Sequence, residues 1–188
     1  MRISTLAALL PLALSPAMAH AGDIDGATSK ITVHVEKSGL FSAFAHNHII
    51  SAPLASGHLD LEKRAVELKF RSEQMRVLDQ GISDSERSDI DHTMKSDKVL
   101  DPARFPEISF VSTSVESTGA NRYLARGNLT LHGVTQAIEL PVVFSEGRYS
   151  GNVKLKQTEF GITPVKIAGG TVRVKDVVEI EFEIVPAK

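Results

Sequence analysis

The sequence contains no cysteine and has little excess charge of either sign. The absence of cysteine excludes disulfides, thiol nucleophiles, iron–sulfur clusters and zinc sites built on thiolates. The net charge of −2 provides no basic surface for a nucleic acid, so we expect no nucleic-acid partner. The seven histidines are therefore the strongest transition-metal ligands that the chain offers. The length of 188 residues predicts one domain, since single domains have roughly 100–200 residues.

Long apolar runs are also absent, except near the N-terminus. No later stretch approaches the ~18 consecutive apolar residues of a membrane-spanning helix, so we do not expect an integral membrane protein. The apolar run Leu6–Pro16 follows Arg2 and precedes the small-x-small sequence from Ala17 to Ala19, which is typical of a secretory signal peptide. We therefore predict a cleaved signal peptide over residues 1–19, a single domain over residues 20–188 and export to the bacterial periplasm.

Motifs for common catalytic chemistries are missing as well. No G-x-S-x-G nucleophile elbow is present, and Gly169-Gly170 precedes a strand pattern as a plain turn. The triplet His46-Asn47-His48 has the letters of a nuclease motif but lies in an apolar strand context without a basic groove for phosphates. We therefore expect no enzyme.

Apolar and polar residues alternate along most of the chain. The alternation is clearest from Val178 to Ile184, where apolar residues occupy every second position between glutamates. Similar short runs, separated by turn-forming residues, recur from residue 31 to residue 71 and again from residue 108 onward. A period of two places alternate side chains on one face, so each predicted strand has an apolar and a polar face. About eight such strands predict an all-β antiparallel fold, and the single apolar face slightly favours a closed barrel over a sandwich.

The segment Ser83–Leu100 interrupts this alternation. Ile90 and Met94 are spaced by about one helical turn, inside a strongly charged stretch that ends at Asp101-Pro102. This spacing predicts one or two short helices that cross or cap an end of the sheet.

His46 and His48 are separated by one residue, so on a strand both side chains project from one face. A tight turn near residues 38–40 sets His34 opposite position 45 or 46 in the sheet. A second turn near residues 52–54 sets His58 opposite His48. With these registers the four histidines share one face.

Three interpretations of the pair His46 and His48 are open. The first is a site for copper, zinc or nickel with His34 and His58, since imidazole suits these ions. In the second, the pair contacts the polar head of a bound ligand. In the third, both residues are structural. Copper or zinc is the only cofactor that the sequence indicates.

Three blocks in the second half of the chain carry a family resemblance. They are RFPEISFVSTSVE (Arg104–Glu116), GNLTLHGVTQAIELPVVF (Gly127–Phe144) and EFGI (Glu159–Ile162). In this order and spacing they resemble the YceI-like family, whose pattern joins a lead-in helix, an F-P-x-I-x-F-x-S-T block, an L-T-L-H-G-V block and a later F-G-I block. The resemblance covers nearly all of the chain after the signal segment. The chain departs from the family pattern at Phe44–Ile50 and at Glu86–Ser96.

The resemblance implies a lipocalin-like, extended eight-stranded antiparallel barrel with an apolar tunnel. In the family the tunnel binds a polyisoprenoid chain with a quinone-like or phenolic head group, members are mostly exported, and many are dimers. We therefore expect a periplasmic carrier for an isoprenoid-quinone-type, fatty or other long-chain amphiphilic lipid, and the resemblance allows a homodimer. The expected ligand-binding residues are Phe44, His46, His48, Ile50, Phe70, Phe110, Leu131, Phe144 and Phe160.

The alternative expectation is a histidine-rich metal-binding barrel with a metal-handling or redox role. Its ligands are His46, His48, His34 and His58. The two expectations are compatible, because a metal and a lipid head group can share the mouth of one barrel.

Overall fold

The computed structural model of the chain describes residues 22–38, 47–167 and 171–188. Within these ranges the fold is all-β and antiparallel, with one α-helix, α1 (Asp84–Lys95). The strands, in chain order, are β1 (Gly22–Asp23), β2 (Lys30–Ser38), β3 (His48–Ser51), β4 (Leu54–Asp60), β5 (Ala65–Arg71), β6 (Arg76–Val77), β7 (Glu107–Gly119), β8 (Arg122–Leu131), β9 (Val134–Ser145), β10 (Arg148–Lys156), β11 (Lys166–Ile167) and β12 (Val172–Ile184). The predicted fold class is confirmed, whereas the predicted count of eight strands is not.

The described strands all belong to one curled sheet. Their order is β1-β4-β5-β7-β8-β9-β10-β12-β2-β3-β6, and β11 pairs with β12. The strands from β7 to β10 follow one another as a meander, while β12 pairs with both β10 and β2. An isolated bridge between Ile24 and Pro186 joins the segment after β1 to the segment after β12. The sheet therefore curls into a barrel-like shape around its apolar face.

The hairpin between β8 and β9 is built on the two-residue turn His132-Gly133. Both residues have positive φ angles, 51° and 74°, which suits a two-residue turn with the twist of the flanking strands. A Cβ atom on Gly133 would lie 2.5 Å from the ring of Phe105, so glycine is required here for space as well as for conformation.

The three resemblance blocks meet beside this hairpin. The ring centroids of Phe105 and His132 are 4.3 Å apart, and His132 Nδ1–H donates a hydrogen bond of 3.3 Å to the carbonyl oxygen of Phe160. Phe160 ends a 3-10 turn (Gln157–Phe160) and is only 1% exposed. The blocks therefore form a packed cluster that fixes one end of the sheet.

The helix α1 starts at the predicted position because its first turn is capped. Ser83 Oγ accepts a hydrogen bond of 3.2 Å from Glu86 N, and the Glu86 carboxylate accepts one of 2.9 Å from Ser83 N. This capping box satisfies amide groups that have no partner within the helix. Met94 is buried and Ile90 is half-buried, as the helical spacing predicts. No helix in the described part of the chain is long and apolar enough to cross a membrane.

Candidate ligand-binding site

A cavity of about 910 Å³ lies inside the curled sheet. Its wall comes from β2, β3, β4, β5, β7, β8, β9, β10 and β12, together with one face of α1, and is mostly aliphatic and aromatic. Small-molecule sites have volumes of roughly 300–1,000 Å³, so this cavity is large for such a site. Its size and lining suit an apolar ligand.

The alternation of apolar and polar residues along each strand places apolar side chains on the wall of the cavity. Along β9, Ile138, Leu140 and Val142 line the cavity, whereas Ala137 and Glu139, which alternate with them, are exposed. The side chains of a strand point alternately to the two faces of the sheet, so the polar residues remain in water. The apolar face is thus left to surround the cavity.

Polar side chains gather at one end of the cavity, beside α1. The register places Ser38 of β2 opposite Arg173 of β12, and Val35 of β2 opposite His48 of β3, so these strand ends lie together. The guanidinium of Arg87 in α1 donates a hydrogen bond of 2.5 Å to the carbonyl oxygen of Asp79, which connects the helix to the segment after β6. We call this region, with α1, Lys37, His48 and Asp79, the helix end.

His48 and Asp79 form a close pair at the helix end. His48 Nδ1 is 2.5 Å from Asp79 Oδ2, and Asp79 Oδ1 accepts a hydrogen bond of 2.6 Å from Ile49 N. The side chains of His48 and Asp79 are only 11% and 3% exposed. A carboxylate next to Nδ1 accepts a hydrogen bond from that nitrogen and orients the imidazole ring. His48 is among the residues that line the cavity, so the oriented ring forms part of its wall.

Lys37 brings a cation to the same end. It follows Val33 and Val35 on the inward face of β2, lines the cavity and is half-buried. Burial lowers the pKa of its ammonium group, and the negative charge of Asp79 partly opposes this shift. The backbone N–H of Lys37 donates to Asn47 Oδ1 at 3.2 Å, which ties β2 to the segment that leads into β3.

The opposite end of the cavity is aromatic. The ring centroids of Tyr123 and Tyr149 are 6.4 Å apart, and Phe144 packs on Tyr149 at 4.6 Å. Burial raises the pKa of the Tyr149 hydroxyl, with a smaller contribution from Tyr123. Asp60 also lines the cavity, but its carboxylate accepts a hydrogen bond of 2.8 Å from Lys63 N in the β4–β5 turn. We call this region, with Tyr123, Phe144 and Tyr149 beside the β9–β10 turn, the hairpin end; the β8–β9 turn at His132-Gly133 lies at the other end of these strands.

The structure places most of the predicted ligand-binding residues on the cavity wall. The residues that line it are His48, Ile50, Phe70, Phe110, Leu131 and Phe160. Phe144 is not among the lining residues, because its ring packs against Tyr149 at the hairpin end. Phe44 and His46 lie outside the described residues.

The predicted histidine cluster is wrong for His34, His48 and His58. In the observed register His34 pairs with Ile49 and Val35 with His48, so His34 and His48 point to opposite faces. β3 pairs with β2 and β6 rather than with β4, which separates His58 from His48. The expectation failed because it assumed tight turns at both ends of β3.

His34 and His58 each lie near a carboxylate. His34 Nε2 is 3.3 Å from Glu181 Oε2, and His58 Nδ1 is 3.6 Å from Asp23 Oδ1. Among residues 22–38, 47–167 and 171–188 no group of three or more His, Asp or Glu side chains could hold a metal ion. The described geometry therefore lends no support to a metal site.

The sequence analysis missed Lys37 and Asp79. A signal for Lys37 was present, because the inward alternation of Ile31, Val33 and Val35 continues to position 37. Asp79 lies in a segment without periodicity and meets His48 across 31 positions of sequence. A pattern of local spacing cannot reveal such a contact.

The comparisons with known proteins agree with this geometry. A family model described as a YceI-like domain matches residues 23–185. The chain belongs to the YceI-like family. This match confirms the resemblance carried by the three sequence blocks, and it begins after the predicted signal segment.

Curated relatives match part of this chain in sequence, and solved structures match it in fold. A UPF0312 protein of Pseudomonas savastanoi pv. phaseolicola is 38% identical over 108 residues, which cover 52% of this chain and 54% of that protein. A UPF0312 protein of Azotobacter vinelandii is 35% identical over 89 residues, covering 42% and 46%. The chain thus spans about half the length of the curated relatives it matches.

Two solved structures show the same fold at low identity. BcnA of Burkholderia cenocepacia superposes with a TM-score of 0.63 and 19% identity, over 88% of this chain and 99% of that chain. The YCEI protein of Campylobacter jejuni gives a TM-score of 0.52 and 16% identity, over 82% and 85%. These likenesses support the barrel-like fold.

Proposed function

We propose that this YceI-like chain binds an isoprenoid-quinone-type or other long-chain amphiphilic lipid. The apolar chain of the ligand lies in the cavity, and its head lies at the helix end. The observation that carries this proposal is the cavity of about 910 Å³ with a mostly apolar wall and a cluster of polar side chains at one end. A solid β-barrel core of the same alternating sequence would leave no such space.

The energetics favour a long chain over a compact ligand. Burial of apolar surface contributes roughly 0.8 kcal/mol for each methylene group, and no polar partner is needed along the chain. The role that follows is binding or carriage, in agreement with the absence of a catalytic motif in the sequence.

We further propose that the protein is exported to the periplasm and that residues 1–19 are removed as a signal peptide. The start of the family match at residue 23 supports this boundary, since the domain of residues 20–188 remains intact. The homodimer that the resemblance allows stays a prediction, and light scattering of the purified protein tests it.

The chain contains no tryptophan, so a single introduced tryptophan can report on the cavity. We choose Ile138→Trp, which places the indole on the cavity wall, and Ala137→Trp as a matched control on the outer face of the same strand. Titration with a short-chain isoprenoid quinone is expected to quench Ile138→Trp fluorescence saturably and to leave Ala137→Trp nearly unchanged.

A second measurement uses the unmodified protein. Extraction of the protein purified without detergent into organic solvent, followed by mass spectrometry, is expected to yield a long-chain lipid. If extraction yields no lipid and Ile138→Trp shows no saturable response, the proposed function is wrong.

A further inference from the structure

The ladder between β9 and β10 is short for the length of these two strands. Three residue pairs form it, from Ser145 opposite Arg148 to Val143 opposite Ser150. The neighbouring ladders are much longer, because β9 forms ten pairs with β8 and β10 forms eight pairs with β12. Both strands lie wholly within the described residues. The sheet is therefore well paired on either side of this junction and loses its pairing within it.

Pro141 explains why the pairing stops. The two-residue turn Glu146-Gly147, with positive φ angles, makes Ser145 and Arg148 a hydrogen-bonded pair. Every second residue of β9 before Ser145 therefore directs its backbone polar groups toward β10. Pro141 occupies one of these positions and has no N–H to donate. A Cβ atom at Gly151 would clash with the carbonyl oxygen of Pro141, so the strands still touch here without a ladder pair.

Past this contact, a gap separates the two strands. Its sides are residues 137–140 of β9 and residues 152–155 of β10, which form no ladder pairs with each other. The 3-10 turn Gln157–Phe160 closes the far end, where Gln136 Nε2 donates a hydrogen bond of 2.9 Å to the carbonyl oxygen of Glu159. At the usual rise of a strand, four residues make the gap about 13 Å long. We call this gap the β9–β10 window.

The charged side chains beside the window form their ion pairs away from it. If the register of the ladder continued, Glu139 would face Lys154 across the window. Instead, Glu139 Oε1 accepts a hydrogen bond of 2.8 Å from Arg126 Nε on β8. Lys154 Nζ lies 3.8 Å from Glu179 Oε2 on β12. Each side of the window is thus tied to the strand behind it, and the two opposite charges do not bridge the gap.

The cavity reaches the wall of the sheet at this window. A second depression of about 360 Å³ lies where the strands part. Pro141 and Asn152, which line this depression, are exposed, so it opens on the outer surface. Tyr123 and Val142 line both the depression and the cavity, so single side chains separate the two spaces. The apolar residues on both sides of the window also line the cavity: Ile138, Leu140, Val153 and Leu155.

The window differs from the neighbouring wall in how well it covers the apolar side chains. Ala125 and Leu129 of β8 line the cavity and are only 4% and 8% exposed. Ile138 and Leu140 of β9 line the same cavity but are only half-buried. The β9 side of the window therefore offers accessible apolar surface that the next strand does not.

We propose that the β9–β10 window is the entry site through which the apolar chain of the ligand passes sideways into the cavity. This inference rests on the proposed function and adds a route to it. Entry at the helix end would draw the chain past the charged side chains that line that end, Lys37, Glu86 and Asp89. The inward side chains on both sides of the window are apolar, so passage there does not place the chain against charge.

Amide hydrogen exchange tests the window in the protein without ligand. Alternation along the strands directs the N–H groups of Glu139 and Lys154 into the window. The N–H groups of Leu140 and Val153 point instead to β8 and β12, with which these residues are paired. Glu139 and Lys154 are expected to exchange about tenfold faster than the two paired residues. Equal protection of both sets would show that β9 and β10 pair in solution and would overturn the inference.

A cross-link tests the passage of the ligand. The chain has no cysteine, so Glu139→Cys and Lys154→Cys can be joined across the window by a short bismaleimide. In the matched control, Glu139→Cys is joined to Arg126→Cys across the intact β8–β9 ladder with the same reagent. Both pairs remove one acid and one base. Both are made in a Phe70→Trp protein, whose indole reports on the cavity from β5, away from the window.

The short-chain isoprenoid quinone is mixed with each protein, and the quenching of the indole is followed in time. The window cross-link is expected to slow association and dissociation about tenfold each, because a closed route raises the barrier in both directions. The equilibrium affinity is expected to stay nearly constant, since the bound state is unaltered. The control cross-link is expected to change neither rate. The same cysteine variants capped with a single maleimide give the reference rates, and thermal unfolding verifies that all are folded.

Pro141→Thr tests the origin of the window without a cross-link. The variant restores an N–H that can pair with Asn152 and extend the ladder. The amide of Lys154 is expected to become more protected, and both ligand rates are expected to fall in parallel by about threefold. Greater protection of Lys154 with unchanged ligand rates would show that the chain enters elsewhere.

The outcomes separate this inference from the proposed function. Unchanged rates in the window cross-link, with saturable binding, would overturn the inference while the proposed function stands. Equal slowing by the window cross-link and the control cross-link would also overturn it. The absence of saturable quenching in both the Ile138→Trp and the Phe70→Trp proteins would overturn the proposed function as well.

Discussion

The two ends of the cavity differ in how they use their polar atoms. At the helix end, Lys37 and His48 direct polar groups at the cavity, and the buried carboxylate of Asp79 orients the histidine. At the hairpin end, Tyr123 and Tyr149 pack their rings together with Phe144. The charges near that end are held by local turns or are exposed.

This difference gives the cavity a direction. A polar head finds hydrogen-bonding partners at the helix end, while the hairpin end offers mainly ring surface to the end of an apolar chain. Both departures from the family pattern that the sequence shows, at Phe44–Ile50 and at Glu86–Ser96, include residues of the helix end, namely His48 and α1. The end that we assign to the head group therefore contains residues from both departures.

The largest expected contrast between the ends is in stability. Phe160 follows β10 at the end of the sheet where Lys156 pairs with Val177 and Val174 pairs with Lys37, which is the helix end. Phe160→Ala removes a ring that is 1% exposed and is expected to lower the free energy of unfolding by about 3–5 kcal/mol. Phe144→Ala removes a half-buried ring at the hairpin end and is expected to cost about 1 kcal/mol. Urea unfolding of both variants checks the difference. Equal losses would mean that the two ends are packed to the same degree.

A second contrast concerns the buried polar groups. Asp79→Ala leaves Ile49 N and His48 Nδ1 without their acceptor and is expected to cost about 1–3 kcal/mol. Tyr149→Phe removes only a hydroxyl group at the hairpin end and is expected to change stability by less than about 0.5 kcal/mol. Chemical unfolding at neutral pH measures both. A larger loss in Tyr149→Phe than in Asp79→Ala would reverse the comparison.

The smallest expected effect is a gain in stability, in contrast to the losses above. Burial lowers the pKa of Lys37, so the folded empty protein carries a penalty for its charge, and Lys37→Met is expected to gain about 0.5 kcal/mol near pH 7. The value is small because the side chain keeps contact with solvent. A charged residue that lowers stability while it lines a cavity is typical of a binding site, where function and stability oppose each other.

The pH dependence of this gain follows from the direction of the shift. Between the lowered pKa of Lys37 and the ordinary lysine pKa, the unfolded chain binds more protons, so the wild-type protein gains stability as pH rises through this window. The advantage of Lys37→Met is therefore expected to shrink as the pH rises from 7 toward the ordinary lysine pKa. Lys30→Met, at an exposed position of the same strand, should show no such trend, and an advantage of Lys37→Met that grows with pH would contradict the account.

The sequence predicted those features that depend on local periodicity. The alternation along β9 and β12 identified the wall of the cavity, and the spacing of Ile90 and Met94 identified α1. These predictions succeeded because the side chains of one strand or helix face are set by the backbone geometry of that element alone.

Predictions that depended on register or on distant contacts failed. The tight turns assumed around β3 would have brought His34 and His58 to His48, but the observed register shifts His34 to the outer face and separates β3 from β4. The changed β2–β3 register places His34 on the face opposite to His48, whereas His58 is distant because β3 and β4 do not pair. The partner that His48 does have, Asp79, comes from outside any periodic segment.

The most direct test of the central claim is a chain-length series. Saturated carboxylic acids from about eight to about twenty carbons are titrated into the Ile138→Trp protein, with Ala137→Trp as the control for non-specific association. The affinity is expected to rise roughly fourfold for each added methylene group, since each buried methylene contributes about 0.8 kcal/mol, and to level off when the cavity is filled. An affinity that does not depend on chain length would contradict the claim that the cavity holds the apolar chain of the ligand.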